Sequence, residues 1–135
     1  MNDPKLMTQL IKLREQLGDI NGSIRILSDC MEKCPEQYPR NMWFNEFIKV
    51  MREKVEDARA SLSEDEAWKG QEKDEKSERA CHATELWIRF LEKQFPGDQR
   101  EIMTLEQARD DLATRMAQLS KECMNIAERL GINLL

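Results

Sequence analysis

Apolar residues in the first stretch of the chain recur in alternating steps of four and three: Leu6, Leu10, Leu13, Leu17, Ile20, Ile24, Leu27 and Met31. This spacing places a narrow apolar seam along one side of an α-helix, and a seam held this long predicts coiled-coil-like packing. Asp3 before Pro4 supplies an N-cap and a first helical residue. Cys34 before Pro35 ends the segment, because a residue preceding proline is pushed out of the α region. A helix over 4–34 follows. Gly18 and Gly22 each cost about 1 kcal/mol relative to alanine, yet the seam keeps its phase across them, which predicts one unbroken helix.

Asn41 is a candidate cap for a second helix over 41–68, with a seam of Phe44, Ile48, Met51, Val55, Ala58 and Leu62 widened by Trp43 and Phe47. Over 63–78 the apolar pattern lapses into a charged stretch that keeps Ala67 and Trp68. Gly70 near its middle predicts the tip of an antiparallel hairpin, with Phe47 level with Phe95 and Val55 level with Trp87. The returning helix, 75–95, presents Ala83, Leu86, Trp87, Phe90, Leu91 and Phe95 on a broad face that Ile88 extends, and Pro96-Gly97 closes it. A fourth helix over 99–130 has Asp98 as its cap, with Thr104 and Gln107 marking a second possible start. Its seam reads Ile102, Leu105, Arg109, Leu112, Met116, Leu119, Cys123, Ile126 and Leu130, interrupted at Arg109. Gly131 suits the position just past a helix end, and the apolar tail from Ile132 is expected to fold back.

These elements predict a single all-α domain spanning 1–135, an elongated helical bundle of about four helices with coiled-coil-like heptad packing. The first seam is narrower than a monomeric core requires. It predicts a homodimer or higher homo-oligomer assembled through the first helix, by Leu6, Leu10, Leu13, Leu17, Ile20, Ile24, Leu27 and Met31, or through the fourth.

Charge narrows the function classes. Twenty-six acidic against 21 basic residues give a net charge of −5, with the signs interspersed, so the basic footprint of a direct nucleic-acid binder is missing. No apolar run is long enough for a membrane span, and the opening Met-Asn-Asp-Pro-Lys lacks the layout of a signal peptide. Together with four cysteines read as reduced thiols, this predicts a cytoplasmic protein.

The search for chemistry yields little. His82 is the only histidine, and no nucleophile elbow, phosphate loop or dinucleotide fingerprint is present, so no catalytic residue and no cofactor is assigned. Cys30 and Cys34 share a helix face and could join His82 in a metal site, but Cys81 and His82 are adjacent and point about 100° apart on a helix. Glu53-x-x-Glu56 followed by Glu72-x-x-Glu75 aims carboxylates in pairs. The pattern resembles the paired glutamates of the all-α nucleoside triphosphate pyrophosphatases. That resemblance implies Mg²⁺ held by Glu53, Glu56, Glu72 and Glu75, although Arg52 stands where the family carries a further acid.

The hairpin gathers Trp43, Phe44, Phe47, Trp87, Phe90 and Phe95 at one end, either as packed core or as a groove for a partner helix. Trp68, alone among charges, is a candidate anchor. The expected function is a non-enzymatic protein–protein interaction module, a helical adaptor, scaffold or regulator that self-associates and binds another protein. The alternatives are a small acidic inhibitor that blocks a basic or nucleic-acid-binding site on its target, and a Mg²⁺-dependent pyrophosphatase-like enzyme.

Overall fold

Asp3 opens the first helix as its sequence position requires: its Oδ1 accepts from the Lys5 and Leu6 amides at 2.9 and 3.3 Å. The computed structural model describes residues 3–64 and 72–132, with the side chains of 62–64 and 72–75 outside that description. The fold is all-α. In chain order the helices are α1 (Pro4–Lys33), α2 (Phe44–Glu64), α3 (Glu72–Gln94), α4 (Gly97–Glu101) and α5 (Leu105–Leu130), with no β-strand among the described residues. No helix among them is long and apolar enough to cross a membrane. α1 runs through Gly18 and Gly22 without a break and stops at Cys34, whose amide bonds to the Cys30 carbonyl.

The chain forms two compact units. The terminal unit combines Met1–Arg40 with Glu106–Leu135, and the inserted unit is Asn41–Leu105. In the terminal unit α1 and α5 run antiparallel. Leu10 is buried with Cys123, Ile126 and Ala127, and Leu6, Leu13, Leu17, Leu130 and Ile132 pack against that cluster. Ile20, Leu27 and Met31 are also buried, and Ile24 is half-buried. Ser23 is buried too, and its hydroxyl donates to the Asp19 carbonyl at 2.8 Å, which offsets the cost of burying a polar group. At the far end of α5 the Ile132 amide bonds to the Ala127 carbonyl and the Gly131 amide to the Glu128 carbonyl. With Gly131 at φ 69° this is a Schellman termination, and the packing of Ile132 completes it. The tail residues beyond Ile132 lie outside the described residues.

The inserted unit is built on the α2–α3 hairpin. Phe44 meets Phe95, and Phe47 meets Trp87, while Arg52 pairs with Glu92 and Arg59 with Glu78 and Glu85. The expected level pair of Phe47 with Phe95 is not formed: Phe95 meets Phe44, and Phe47 meets Trp87, about two turns from Phe95 along the chain. The tip itself falls largely outside the described residues.

Two sequence expectations are corrected here. The second helix begins at Phe44 and not at Asn41, and the fourth is divided, with α4 ending at Glu101 and α5 starting at Leu105. Both changes have one cause. The chain crosses itself between 42–44 and 103–105: the Phe44 amide bonds to the Met103 carbonyl and the Leu105 amide to the Met42 carbonyl, each at 2.7 Å, around a bridge between Trp43 and Thr104. These backbone groups cannot also serve a continuous helix. Ile102 consequently leaves the expected seam and stands 76% exposed. Arg100, from α4, turns back to donate to the Phe95 carbonyl at 2.7 Å, satisfying the open end of α3 with a cation.

Candidate interaction surface

The aromatic end assembles from the first turn of α2 and the last two turns of α3. Phe44 sits edge-on to Phe95 with ring centroids 5.3 Å apart, and Phe47 edge-on to Trp87 at 6.1 Å. Phe44 and Phe47 lie nearly parallel at 6.2 Å. Edge-on pairs of this kind set positive ring edges against negative faces. Phe44, Phe47 and Phe95 are fully buried. Phe44 and Phe47, expected among the partner-contacting residues, lie in the core of the inserted unit. Trp87 and Phe90 are half-buried. Trp43 lies beside them in sequence but on the chain crossing, where it is 51% exposed. Trp68 lies outside the described residues.

The large apolar side chains that do face outward are Trp43, Ile102 and Leu86 in the inserted unit, and Met7, Ile11, Ile26 and Met124 in the terminal unit. Trp43 lies on the crossing, and Ile102 ends α4 immediately before the crossing's second segment. Their exposure follows from the backbone bonds that fix it, since neither side chain is needed to hold the chain there. Leu86 reflects a rotated face on α3. The buried positions are Cys81, Ile88, Leu91 and Phe95, whereas the expected face included Leu86 and Ala83, both exposed.

The expected self-association seam is occupied within the chain. Leu6, Leu10, Leu13 and Leu17 pack on α5, and Ile20, Leu27 and Met31 are buried with Ile24 half-covered. A narrow seam needs only one neighbouring helix, and α5 supplies it for Leu6, Leu10, Leu13 and Leu17.

The carboxylate pattern reads differently in three dimensions. Glu53 and Glu56 are exposed on α2, and the side chains of Glu72 and Glu75 lie outside the described residues. Glu56 borders a shallow cleft of about 210 Å³ with Arg52, Val55, Glu85, Ile88 and Arg89. The acids opposite it are already engaged by guanidinium groups, Glu85 by Arg59 and Glu92 by Arg52. Among the described residues no group of three or more His, Cys, Asp or Glu is placed to hold a metal ion, so Cys30, Cys34 and His82 are not brought together in one. In the terminal unit Arg40 pairs with Glu106 at 2.8 Å. The hydrogen bond from Arg40 holds the Glu106 carboxyl below the usual carboxylate range. Arg109, the polar interruption of the fourth seam, reaches sideways to Asp110 at 3.3 Å.

All four cysteines are free thiols, with Cys34 exposed and Cys81 and Cys123 buried. Burial pushes the Cys123 thiol pKa up, against a smaller opposing effect from Arg14. Exposed Cys34 is therefore more accessible to a thiol reagent than buried Cys123. In the native protein an aromatic disulfide reagent should label Cys34 at least about tenfold faster than Cys123, with the difference lost in denaturant. Equal native rates, read by peptide mass analysis, would contradict the packing of α5 on α1.

No protein-family model matches this chain, and no match is found among curated proteins or among solved structures.

Proposed function

We propose that this chain is a non-enzymatic protein–protein interaction module of the cell interior, which self-associates and binds a partner protein through the outward side of its chain crossing. The observation that supports this reading is Trp43, half-exposed on a backbone held by paired hydrogen bonds, with the strongly exposed Ile102 just before the segment it pairs with. A large aromatic that contributes little to its own core but sits on a fixed support needs little ordering when it docks. Tryptophan is also the residue type most often dominant at protein interfaces. The interspersed charges around it, with their slight acidic excess, suit a polar rim.

The test is affinity capture from the native source with the wild-type chain and with the Trp43→Ser/Ile102→Ser double variant, followed by binding measurements on the purified captured protein. The expected result is a stoichiometric complex that the double variant weakens at least about tenfold. A complex of equal affinity with both proteins would overturn the assignment of this surface.

A further inference from the structure

On α1, the side facing away from α5 carries a second apolar band. With 100° between successive residues, Met7, Ile11, Gly18, Gly22 and Ile26 project within one sector of the helix. Met7, Ile11 and Ile26 are 42, 53 and 42% exposed. At the centre of the band the helix backbone is bare: a methyl group added at Gly18 or Gly22 would meet nothing within 4 Å. A folded helix of this length tolerates two costly interior glycines without any internal contact that needs them.

We propose that this face binds a second copy of the same chain, with the two α1 helices antiparallel and crossing between Gly18 and Gly22. The inference deepens the proposed self-association by moving it from the buried seam to the opposite side of the helix. Charge identifies both the occupant and its direction. Glu15 and Arg25 stand on either side of the point midway between Gly18 and Gly22, each about 7.5 Å from it along the axis. Among the described residues neither is engaged in an ion pair. In an antiparallel pair, two-fold symmetry sets each Glu15 opposite Arg25 of the second copy, and this happens twice. A parallel pair would instead set Glu15 against Glu15 and Arg25 against Arg25, which is repulsive at both places. The antiparallel arrangement also places Ile11 and Ile26 of opposite copies within a turn of one another, on either side of the bare backbone. A glycine at the crossing lets the helix axes approach to the point where these side chains touch. With so few large side chains on each copy the contact is below the size of a permanent interface, and dissociation in the micromolar range is expected.

Sedimentation velocity of the full chain over a range from about one to several hundred micromolar tests this directly. The wild type should sediment as a dimer of the 15.9 kDa chain. Glu15→Arg and Arg25→Glu should each raise the dissociation constant at least about tenfold when alone, and so sediment as monomers at concentrations near the wild-type constant. Mixed in equal amounts, the two variants should form a heterodimer, because each then meets opposite charges at both positions. Gly22→Leu should also be monomeric while keeping its helical circular dichroism, since its side chain enters open space. A wild-type dimer that the charge variants leave intact, or a mixture that stays monomeric, would overturn the antiparallel α1 contact while leaving self-association standing. A wild-type monomer throughout the concentration range would overturn both.

Discussion

Phe44→Ala is expected to lower the stability of the inserted unit by about 3–5 kcal/mol, the range for deleting a fully buried phenylalanine. The ring is completely enclosed and touches Phe47 on one side and Phe95 on the other. Its removal therefore leaves a cavity between α2 and α3 and also cancels two aromatic contacts. The backbone cannot readily collapse into that space, because the Phe44 amide is fixed to Met103 across the chain crossing. Urea denaturation followed by tryptophan fluorescence is the appropriate measurement, since Trp43, Trp68 and Trp87 all lie within Asn41–Leu105. A loss of less than about 1 kcal/mol would place Phe44 outside the core.

Leu112→Ala is the corresponding test of the terminal unit, with an expected loss of about 2–5 kcal/mol followed by far-ultraviolet circular dichroism. Leu112 is fully buried on α5, whereas Ile102 is 76% exposed. The sequence places both on one continuous seam. The division of that seam by the chain crossing predicts opposite behaviour, so Ile102→Ala should change stability by no more than about 0.5 kcal/mol. Similar losses for the two variants would mean that Ile102 is packed and the fourth helix continuous.

The contrast between these residues shows what one-dimensional reading can and cannot supply. The buried side of α1 was legible because its period is sustained over the whole helix and because Asp3, Pro4 and Cys34-Pro35 mark its ends with local chemistry. The antiparallel pairing of α2 with α3 was legible because two apolar faces are separated by a charged stretch, but the individual partners, such as Phe47 with Trp87, were not. The identity of the helix that covers the α1 seam was not legible. Periodicity states which side is buried, but α5 lies about a hundred residues further on. The interruption at 102–104 depends on bonds to Met42 and Phe44, a partnership that no local pattern announces. On α3, apolar residues cover more than half the circumference, so the period could not choose between Leu86, which is exposed, and Ile88, which is buried. Of the candidate surface, the aromatic cluster was visible, but its division into enclosed phenylalanines and an outward Trp43 follows from the crossing alone.

The terminal unit is discontinuous, with Arg40 and Glu106 paired across an insertion of the whole inserted unit. This has a consequence for biosynthesis. α1 leaves the ribosome before α5, and the helix that covers its leucines is translated only after the inserted unit. At about 5–20 residues per second the delay is roughly 5–20 s, long compared with helix formation. The inserted unit has all its residues available before α5 exists, so the order of synthesis favours its folding first. Throughout that interval the nascent chain carries an uncovered hydrophobic helix, a natural recognition element for chaperones.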